Sequence, residues 1–218
     1  MACVTGTIRG GDEPAPTDPQ AVGPRQPGLK RAMDIAFALG GLAIAVPLCL
    51  IAMLVVWIAD GRPVLLGQWR LGHGDRLFRL YKIRTMYRDA ERGRGAVCAR
   101  SGDSRIIPVC RWIRRSHLDE LPQLWNVLRG EMSLVGPRPE RPEIAYQLNA
   151  RLADFDRRTL VRQGLTGLAQ VRQGYANQLD GHRDKLEHDL AYVRNHSIIT
   201  DLKLLALTVT KLWDRTAC

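Results

Sequence analysis

The sequence lacks the cysteine and histidine patterns that hold disulfides or metals. It has five cysteines and five histidines among 218 residues, with no C-x-x-C pair and no H-x-x-x-H or H-E-x-x-H pattern. An odd number of cysteines without framework spacing is typical of a reducing compartment. The same absence argues against a zinc site.

Large apolar residues are almost missing from residues 1–28, which are rich in Gly, Pro, Asp and Thr. Such a segment cannot bury enough surface to offset the entropy of ordering, so we expect a disordered tail. No basic stretch leads directly into a short apolar segment with a cleavage site. A secretory signal is therefore not predicted.

Acidic residues are outnumbered by basic ones, 22 against 32, which gives a net charge of +10. A basic domain attracts nucleic acid, anionic lipid headgroups or phosphorylated substrates, and composition does not choose among them. Trp112 lies among Arg111, Arg114 and Arg115. These residue types suit RNA as well as a membrane interface, and the nearby apolar run favours the membrane.

That apolar run, Ile35 to Ala59, contains no charged residue. As one helix it would reach about 37 Å, enough to cross a hydrocarbon core of roughly 30 Å. Pro47 lies near its middle and removes the hydrogen bond to the carbonyl of Ala43, which predicts a bend. Basic residues flank the run on both sides and give no clear orientation. A spanning helix and a hairpin that returns to the same face both fit this pattern.

The remainder of the chain predicts an α/β fold, mostly α with a small β-hairpin. Two strand-forming segments flank the turn Gly72–Asp75, which lacks the G-x-G-x-x-G spacing of a dinucleotide-binding loop. Residues 87–104 are predicted to form a mobile surface loop. The later segments are predicted to be a helix over residues 141–162, a glycine-containing loop over Arg162–Gly174, and helices over His182–Arg194 and Asp201–Trp213.

Acids, bases and rigid turns are concentrated between Ser116 and Glu140. The carboxylates of Asp119 and Glu120 are adjacent, and neighbouring helical side chains point about 100° apart. They cannot flank a scissile bond from opposite sides, as glycosidase carboxylates do. One can attack phosphorus while the other holds a cation beside it. Mg²⁺ and the guanidinium groups of Arg114 and Arg138 could neutralise an incoming diphosphate.

A structural alternative exists for Asp119. Ser116-x-x-Asp119 resembles a helix capping box, with Pro122 close to a helix start. In that interpretation the cap stabilises the helix by about 1 kcal/mol and Asp119 has no chemistry. The residues alone leave both interpretations open. Asp154-Phe155-Asp156 is formally a D-x-D triplet, but carboxylates two positions apart on a helix do not face each other, so it is not expected to be catalytic.

From Lys30 to Trp213 the order of features resembles the bacterial sugar transferases, also called monotopic phosphoglycosyl transferases. The run Leu118–Pro139 carries most of this resemblance and is far too long to arise by chance. The other matching pieces are Lys30-Arg31-x-x-Asp34, the run containing Pro47, Gln68-x-Arg70-x-Gly72, Phe78-x-x-Tyr81-Lys82-x-Arg84-Thr85-Met86, Gly164–Gln170 and Asp189-Leu190-x-Tyr192-Val193.

The resemblance implies a two-step reaction. Asp119 would attack the sugar-linked phosphate of a UDP-sugar and release UMP, and undecaprenyl phosphate would then attack the phospho-sugar enzyme. Glu120 would be catalytic as the ligand of Mg²⁺. The residues that the resemblance assigns to substrate or phosphate binding are Lys82, Arg84, Arg114, Gln123, Pro137, Arg138 and Thr166.

The resemblance also implies a re-entrant membrane helix over residues 29–59, bent at Pro47. It would pack on a compact cytosolic catalytic domain over residues 60–218, with amphipathic interfacial helices. The expected location is the inner (cytoplasmic) membrane, with the catalytic domain on the cytoplasmic face. Expected partners are a UDP-sugar, undecaprenyl phosphate and the bilayer, with no nucleic acid and with a two-fold homodimer as the default. Glucose, galactose and N-acetylated hexosamines are all open as the sugar.

Two alternatives from other classes are a membrane-tethered nucleic-acid binder and a non-catalytic scaffold, neither of which uses the two carboxylates. The chain also departs from the family pattern at two positions. Val46 stands where a serine often precedes the proline, so the bend has less support. Gln163 stands where the family often has proline, which is expected to loosen that loop.

Overall fold

The computed structural model describes residues 28–90, 103–172 and 179–212. Within these ranges the chain is mostly helical, with two small two-stranded sheets. This confirms the predicted predominance of helix with a small sheet component. The predicted tail, apart from its last residue, and most of the predicted loop over residues 87–104 lie outside the described residues.

The N-terminal helix α1, Gly28–Asp60, continues through Pro47 over 33 residues. It is long and apolar enough to cross a membrane by length and composition. Its buried apolar residues are small, as at Ala38, Ala45 and Ala52, and their spacing places them on one stripe. The opposite face exposes large apolar side chains: Phe37, Leu39, Ile44, Val46, Leu50, Ile51, Leu54, Trp57 and Ile58.

The predicted hairpin is confirmed. Strand β1, Leu65–Leu71, pairs antiparallel with β2, Leu77–Ile83, in a register that sets Leu65 opposite Ile83. A short 3₁₀ turn, His73–Asp75, joins the strands, and Gly74 adopts a left-handed φ of 61° there. Glycine suits this conformation because it has no Cβ.

Further helices and two short strands follow, and the two strands form a second, parallel sheet. These elements are α2, Arg111–Arg115; α3, Gln123–Arg129; β3, Ser133–Val135; α4, Pro142–Asn149; β4, Gly164–Thr166; α5, Leu168–Arg172; α6, Leu179–Asn195; and α7, Ile198–Leu212. Strand β3 pairs with β4 in parallel. The two predicted C-terminal helices correspond to α6 and α7.

Two predictions in this region are wrong. The helix predicted over residues 141–162 ends at Asn149 with α4. After a turn, Asp154 adopts a left-handed φ of 62° and the chain continues as a 3₁₀ helix over Phe155–Leu160. The loop predicted over Arg162–Gly174 contains β4 and α5. Gly164 and Gly167 are required there by the close approach of the Gly136 backbone, and not by a turn.

Helix α1 shares its hydrophobic core with the rest of the fold. Ala45 and Ala52 belong to the same buried cluster as Ile83 of β2 and Val127 of α3. A second cluster lies between α4 and α6 and contains Leu148, Leu152, Phe155 and Leu186. One face of α1 is therefore an integral part of the domain.

Buried polar contacts fix the N-terminal end of α1. Lys30 forms an ion pair with Asp201 of α7, and both side chains are excluded from solvent. The hydroxyl of Tyr192 in α6 donates a 2.7 Å hydrogen bond to Asp201. The carboxylate of Asp34 accepts hydrogen bonds from the Ser133 hydroxyl and the Leu134 amide, each 3.1 Å long. These contacts join α1, β3, α6 and α7.

Lys30→Met is expected to destabilise the protein by about 3–5 kcal/mol, because it leaves Asp201 as a buried carboxylate without its cation. Thermal unfolding in detergent micelles measures the loss. Lys203→Met, on the exposed side of α7, is the matched control and should change stability by less than about 0.5 kcal/mol. Equal losses in the two variants would contradict a structural role for the ion pair.

Candidate active site

The two adjacent carboxylates lie in a 3₁₀ turn, Leu118–Glu120, which follows a left-handed residue, His117, with a φ of 55°. Asp119 is buried and Glu120 is half-buried. The capping interpretation of Asp119 is wrong. No side chain caps this turn, and the Ser116 hydroxyl instead donates to the Trp112 and Ile113 carbonyls at 2.8 and 3.1 Å.

Glu120 forms a two-pronged ion pair with Arg138. One guanidinium nitrogen donates to Oε2 at 3.1 Å and the other donates to Oε1. Burial by itself would raise the pKa of Glu120, but the charge and hydrogen bonds of Arg138, helped by His117 and Lys82, lower that pKa to about 2. Glu120 is therefore a fixed anion at neutral pH.

Asp119 has the opposite electrostatic environment. Burial, together with the negative charge of Glu120, raises the pKa of Asp119 to about 7, although Arg114 and Lys82 act to lower it. The pKa values of the two neighbouring carboxylates, Asp119 and Glu120, are thus shifted in opposite directions. Divergent pKa values in adjacent carboxylates are typical of a site that gives each group a separate task.

Two cations face Asp119. Lys82 continues the inward-facing series of Phe78 and Leu80 on β2, because alternate residues of a strand share a face. Burial, with the charges of Arg70 and Arg114, lowers the pKa of Lys82 to about 8, although both carboxylates act to raise it. Arg114 lies in the last turn of α2, from which it acts on Asp119 and Lys82.

The segment over residues 137–140, which carries Arg138, is held by its own backbone. Each of its four consecutive carbonyls accepts a hydrogen bond of 2.8–3.1 Å. The donors, in chain order of the carbonyls, are the Gly164 amide, the Arg158 guanidinium, the Arg70 guanidinium and the Leu71 amide. Arg138 therefore extends toward Glu120 from a fixed main chain.

Glycines at the start of this segment allow two strands to approach closely. A Cβ on Gly164 would lie 2.1 Å from the amide nitrogen of Gly136, and a Cβ on Gly136 would lie 2.3 Å from the Arg162 carbonyl oxygen. Neither position has room for alanine. The approach lets the Gly136 amide donate a 2.9 Å hydrogen bond to the Thr166 carbonyl.

The structure brings together five of the residues assigned from sequence: Asp119, Glu120, Lys82, Arg114 and Arg138. The other four contact the scaffold. Arg84 is buried and pairs with Asp60, and it also donates to the Pro63 and Gly61 carbonyls at 2.5 and 2.8 Å. It thereby fixes the C-terminal end of α1.

Gln123 and Pro137 are both buried, Gln123 at the start of α3 and Pro137 where the chain leaves β3. Thr166 closes β4, and its hydroxyl shares a 2.8 Å hydrogen bond with the Thr208 hydroxyl of α7. Their assignment to substrate binding stays a prediction.

Sequence reasoning missed three residues that support the site. Arg70 donates to the Pro139 carbonyl at 3.1 Å, and burial lowers its pKa to about 10. His117 adds positive charge near Glu120, and Arg158 holds the Arg138 carbonyl. Arg70 lies in the quoted Gln68-x-Arg70-x-Gly72 piece, which was the available signal. His117 and Arg158 had no signal in the sequence. Arg158 binds a residue that is distant in sequence, and His117 acts on Glu120 through its charge and not through a bond.

The donor set fits magnesium better than a transition metal. Within the described residues no three His, Cys, Asp or Glu side chains form a metal-binding group. Mg²⁺ commonly takes only one or two carboxylates and completes its shell with water and substrate phosphates. Asp119 and Glu120 offer such oxygen ligands, so the site fits a Mg²⁺ ion that a diphosphate helps to hold.

Comparison with known proteins follows the same stretch of chain. Residues 25–215 match the family model described as bacterial sugar transferase. The chain belongs to the bacterial sugar transferase family. The match covers α1 as well as the carboxylate site, so both are features of one family unit.

Relatives of this family unit differ in length and in the named sugar. A UDP-N-acetylgalactosamine-undecaprenyl-phosphate N-acetylgalactosaminephosphotransferase of Aeromonas hydrophila is 40% identical over 181 residues, 83% of this chain and 43% of that protein. A UDP-glucose:undecaprenyl-phosphate glucose-1-phosphate transferase of Caulobacter vibrioides is 40% identical over 185 residues, 84% of this chain and 69% of that protein. An exopolysaccharide production protein of Rhizobium leguminosarum bv. phaseoli is 36% identical over 188 residues, 83% of this chain and 93% of that protein. The chain thus spans less than half of the Aeromonas protein.

The two carboxylates predict opposite effects on stability. Asp119 has a folded-state pKa of about 7 against an ordinary value of 3.8, so folding favours its protonated form. This contribution is present below pH 4 and is lost as the pH rises through 7. Asp119→Asn should therefore be more stable than the parent protein at pH 8, by up to about 4 kcal/mol at roughly 1.4 kcal/mol per pKa unit, and the gain should shrink toward pH 4.

The matched variant is Glu120→Gln. The pKa of Glu120 is lowered from 4.5 to about 2, so its contribution is present above pH 4.5 and is lost as the pH falls through 2. Glu120→Gln should be less stable than the parent at pH 8. Thermal unfolding in detergent with a chelator measures both variants, and shifts of the same sign at pH 8 would contradict this electrostatic assignment.

Proposed function

We propose that the protein transfers a sugar-1-phosphate from a UDP-sugar to undecaprenyl phosphate, as the first membrane step of exopolysaccharide, capsule or O-antigen synthesis. The names of the relatives support this reaction class. The observation that carries the proposal for this chain is the carboxylate pair with divergent pKa values, set among Lys82, Arg114 and Arg138. Such a site suits displacement at an anionic phosphorus centre.

In the first step the Asp119 carboxylate attacks the sugar-linked phosphorus of the UDP-sugar. A bond forms between Asp119 Oδ and phosphorus, and the bond from phosphorus to the bridging oxygen breaks, so UMP leaves with that oxygen. The attacking form is the anion, and the charges of Lys82 and Arg114 favour it against burial. The product is an acyl phosphate that carries the sugar.

In the second step an oxygen of undecaprenyl phosphate attacks the same phosphorus. The bond from phosphorus to Asp119 breaks and the free carboxylate is restored, so the protein ends the cycle unchanged. The lipid product is an undecaprenyl diphosphate sugar. Both steps displace an oxygen from phosphorus, so a single set of cations can serve both of them.

The neighbouring residues neutralise and orient the diphosphate. Arg138 presents a planar fork that matches phosphate oxygens, and its present partner, Glu120, shows that the fork can hold an anion here. Glu120, with the substrate phosphates, would hold Mg²⁺, which would supply positive charge to the transferring phosphoryl group. Lys82 and Arg114 would contact the phosphates from the other side.

Helix α1 would place this site at the membrane surface, on the cytoplasmic side of the inner membrane. Its outward face presents large apolar side chains along its length, as lipid contact requires. Exposed tryptophans on the domain add side chains that favour the bilayer interface: Trp69, Trp112 and Trp125. A lipid-linked substrate would then meet the site at headgroup depth.

Both ends of α1 would lie on the same side of the bilayer. Lys30 at one end pairs with Asp201, and Asp60 at the other end pairs with Arg84. A polar domain fastened to both ends cannot have them on opposite faces of a membrane unless its own surface enters the hydrocarbon. This supports a re-entrant, monotopic insertion. Helix α1 continues through Pro47 in the structure, so the insertion would need the helix to bend there in the bilayer.

Detergent-solubilised protein is expected to release UMP from a UDP-sugar when undecaprenyl phosphate and Mg²⁺ are present. The panel should include UDP-glucose and UDP-N-acetylgalactosamine, since the relatives named for these sugars are equally similar to this chain. Asp119→Asn should lower the rate by at least about 10³-fold, because the nucleophile is lost. Chelation of the metal should also abolish release.

Asp154→Asn is the matched control. Asp154 is an exposed carboxylate that pairs locally with Arg157 at 3.0 Å, and its substitution should leave UMP release unchanged. Rapid-quench trapping of a sugar-phosphate adduct on the parent protein would locate the acyl phosphate at Asp119. Full activity in Asp119→Asn would reject the nucleophile assignment.

Re-entrant topology predicts that both flanks of α1 react from the same side. Leu29→Cys and Arg62→Cys, both exposed, would each be introduced into a cysteine-free background. A membrane-impermeant maleimide should leave both unlabelled in spheroplasts and label both after lysis. Labelling of one position from outside the cell would show that the helix spans the bilayer instead.

A further inference from the structure

Gln163 is a fully buried amide at the junction between the 3₁₀ helix Phe155–Leu160 and β4, with 2% of its surface exposed. Its side-chain nitrogen donates to the carbonyls of Arg158 and Val161 at 2.9 and 3.2 Å. The main-chain carbonyl of Gln163 accepts a 2.8 Å hydrogen bond from the Ser133 amide. The loosening expected from a glutamine at this position is therefore wrong, since the side chain ties the end of the 3₁₀ helix to the start of β4.

Arg158 is the next connection and is also buried, with 4% exposed. Its Nε donates to Asp189 of α6 at 2.7 Å, and its guanidinium carbon lies 4.8 Å from the centre of the Phe155 ring. Its Nη2 donates to the Arg138 carbonyl at 2.9 Å. The guanidinium thus has one orientation, with its last contact on the main chain of an active-site residue.

We propose that Gln163 and Arg158 are positioning residues for Arg138. The Gln163 amide fixes the backbone of Arg158, the Arg158 guanidinium fixes the carbonyl of Arg138, and the Arg138 guanidinium then meets Glu120. The catalytic consequence rests on the proposed function, in which Arg138 binds phosphate. The geometric part stands without it.

Three other donors bind this segment at neighbouring groups. Gly164 and Arg70 hold the flanking carbonyls of Pro137 and Pro139, and Lys185 holds the Glu140 carboxylate at 2.5 Å. Arg158 alone among these donors binds the carbonyl of Arg138 itself. Loss of that bond would leave the Arg138 carbonyl without this donor, so the main chain that carries the guanidinium could shift. A displacement of about 1 Å can cost roughly a hundredfold in rate.

The first test measures Arg138 directly and requires no substrate. Protein labelled with ¹⁵N-arginine in detergent micelles gives a side-chain Nε–H signal for each ordered arginine, and relaxation reports its mobility. Gln163→Met keeps the side-chain volume of Gln163 but removes both hydrogen bonds that it donates. Arg158→Lys keeps a positive charge beside Asp189 but removes the planar guanidinium that also binds the Arg138 carbonyl. Both variants should increase the mobility of Arg138 while leaving Arg84, which fixes the far end of α1, unchanged.

Gln170→Met is the matched control. Gln170 donates one hydrogen bond of the same kind, 2.9 Å to the Leu165 carbonyl, and does not bond Arg158. It should lower the unfolding temperature no more than Gln163→Met does, and it should not affect the Arg138 signal. If Gln163→Met does not fold, Arg158→Lys carries the test alone. An unchanged Arg138 signal in the folded variants would overturn the proposal.

The second test connects geometry to turnover. The rate constant kcat/KM for the UDP-sugar should fall by about tenfold in Gln163→Met and Arg158→Lys and stay within about twofold in Gln170→Met. Increased Arg138 mobility together with no UMP release even from the parent protein would support positioning and reject the proposed function. Increased mobility with full activity in both variants would overturn the catalytic consequence alone.

Discussion

The ion pair between Arg138 and Glu120 is the interaction on which the site depends. It joins the turn that carries the two carboxylates to the segment that follows β3. It keeps Glu120 ionised, and that fixed negative charge, with burial, raises the pKa of Asp119. One contact therefore affects the charge states of both carboxylates, although burial is the larger cause for Asp119. Four hydrogen bonds to the carbonyls of residues 137–140 hold the arginine that makes this contact.

Strand β3 also connects the site to α1. Asp34 of α1 binds Ser133 and Leu134 in β3, and β3 leads through Gly136 into the segment that carries Arg138. A change in the seating of α1 would therefore reach the carboxylates through only a few bonds. This short path gives a physical reason for the family match to run through the apolar helix and the catalytic stretch together.

Local patterns predicted the parts of this protein that depend on local physics. The hairpin, α6 and α7 followed from strand-forming residues, glycines and apolar spacing, and Asp119, Glu120 and Arg138 stood out because acids, bases and prolines are so close together there. The failures have long-range causes. No glycine or proline near Asp154 marks its left-handed turn. The glycine of β4 predicts a loop, because its real cause, the close approach of Gly136, is distant in sequence. Arg84 and Gln163 likewise acquire their roles from partners that periodicity does not identify.

Helix α1 has two apolar faces of different character, with small residues toward the domain and large ones outward. The small residues complete the main hydrophobic core, so the helix is no detachable anchor. Removing it to obtain a soluble fragment would uncover the packing surfaces of β2 and α3 and leave Asp201 without Lys30. A generic leucine-rich anchor in its place would retain affinity for the bilayer but would be too bulky to seat against the domain. Under the proposed membrane insertion, the face that would contact lipid and the face that completes the core lie on opposite sides of one helix and have to be changed together.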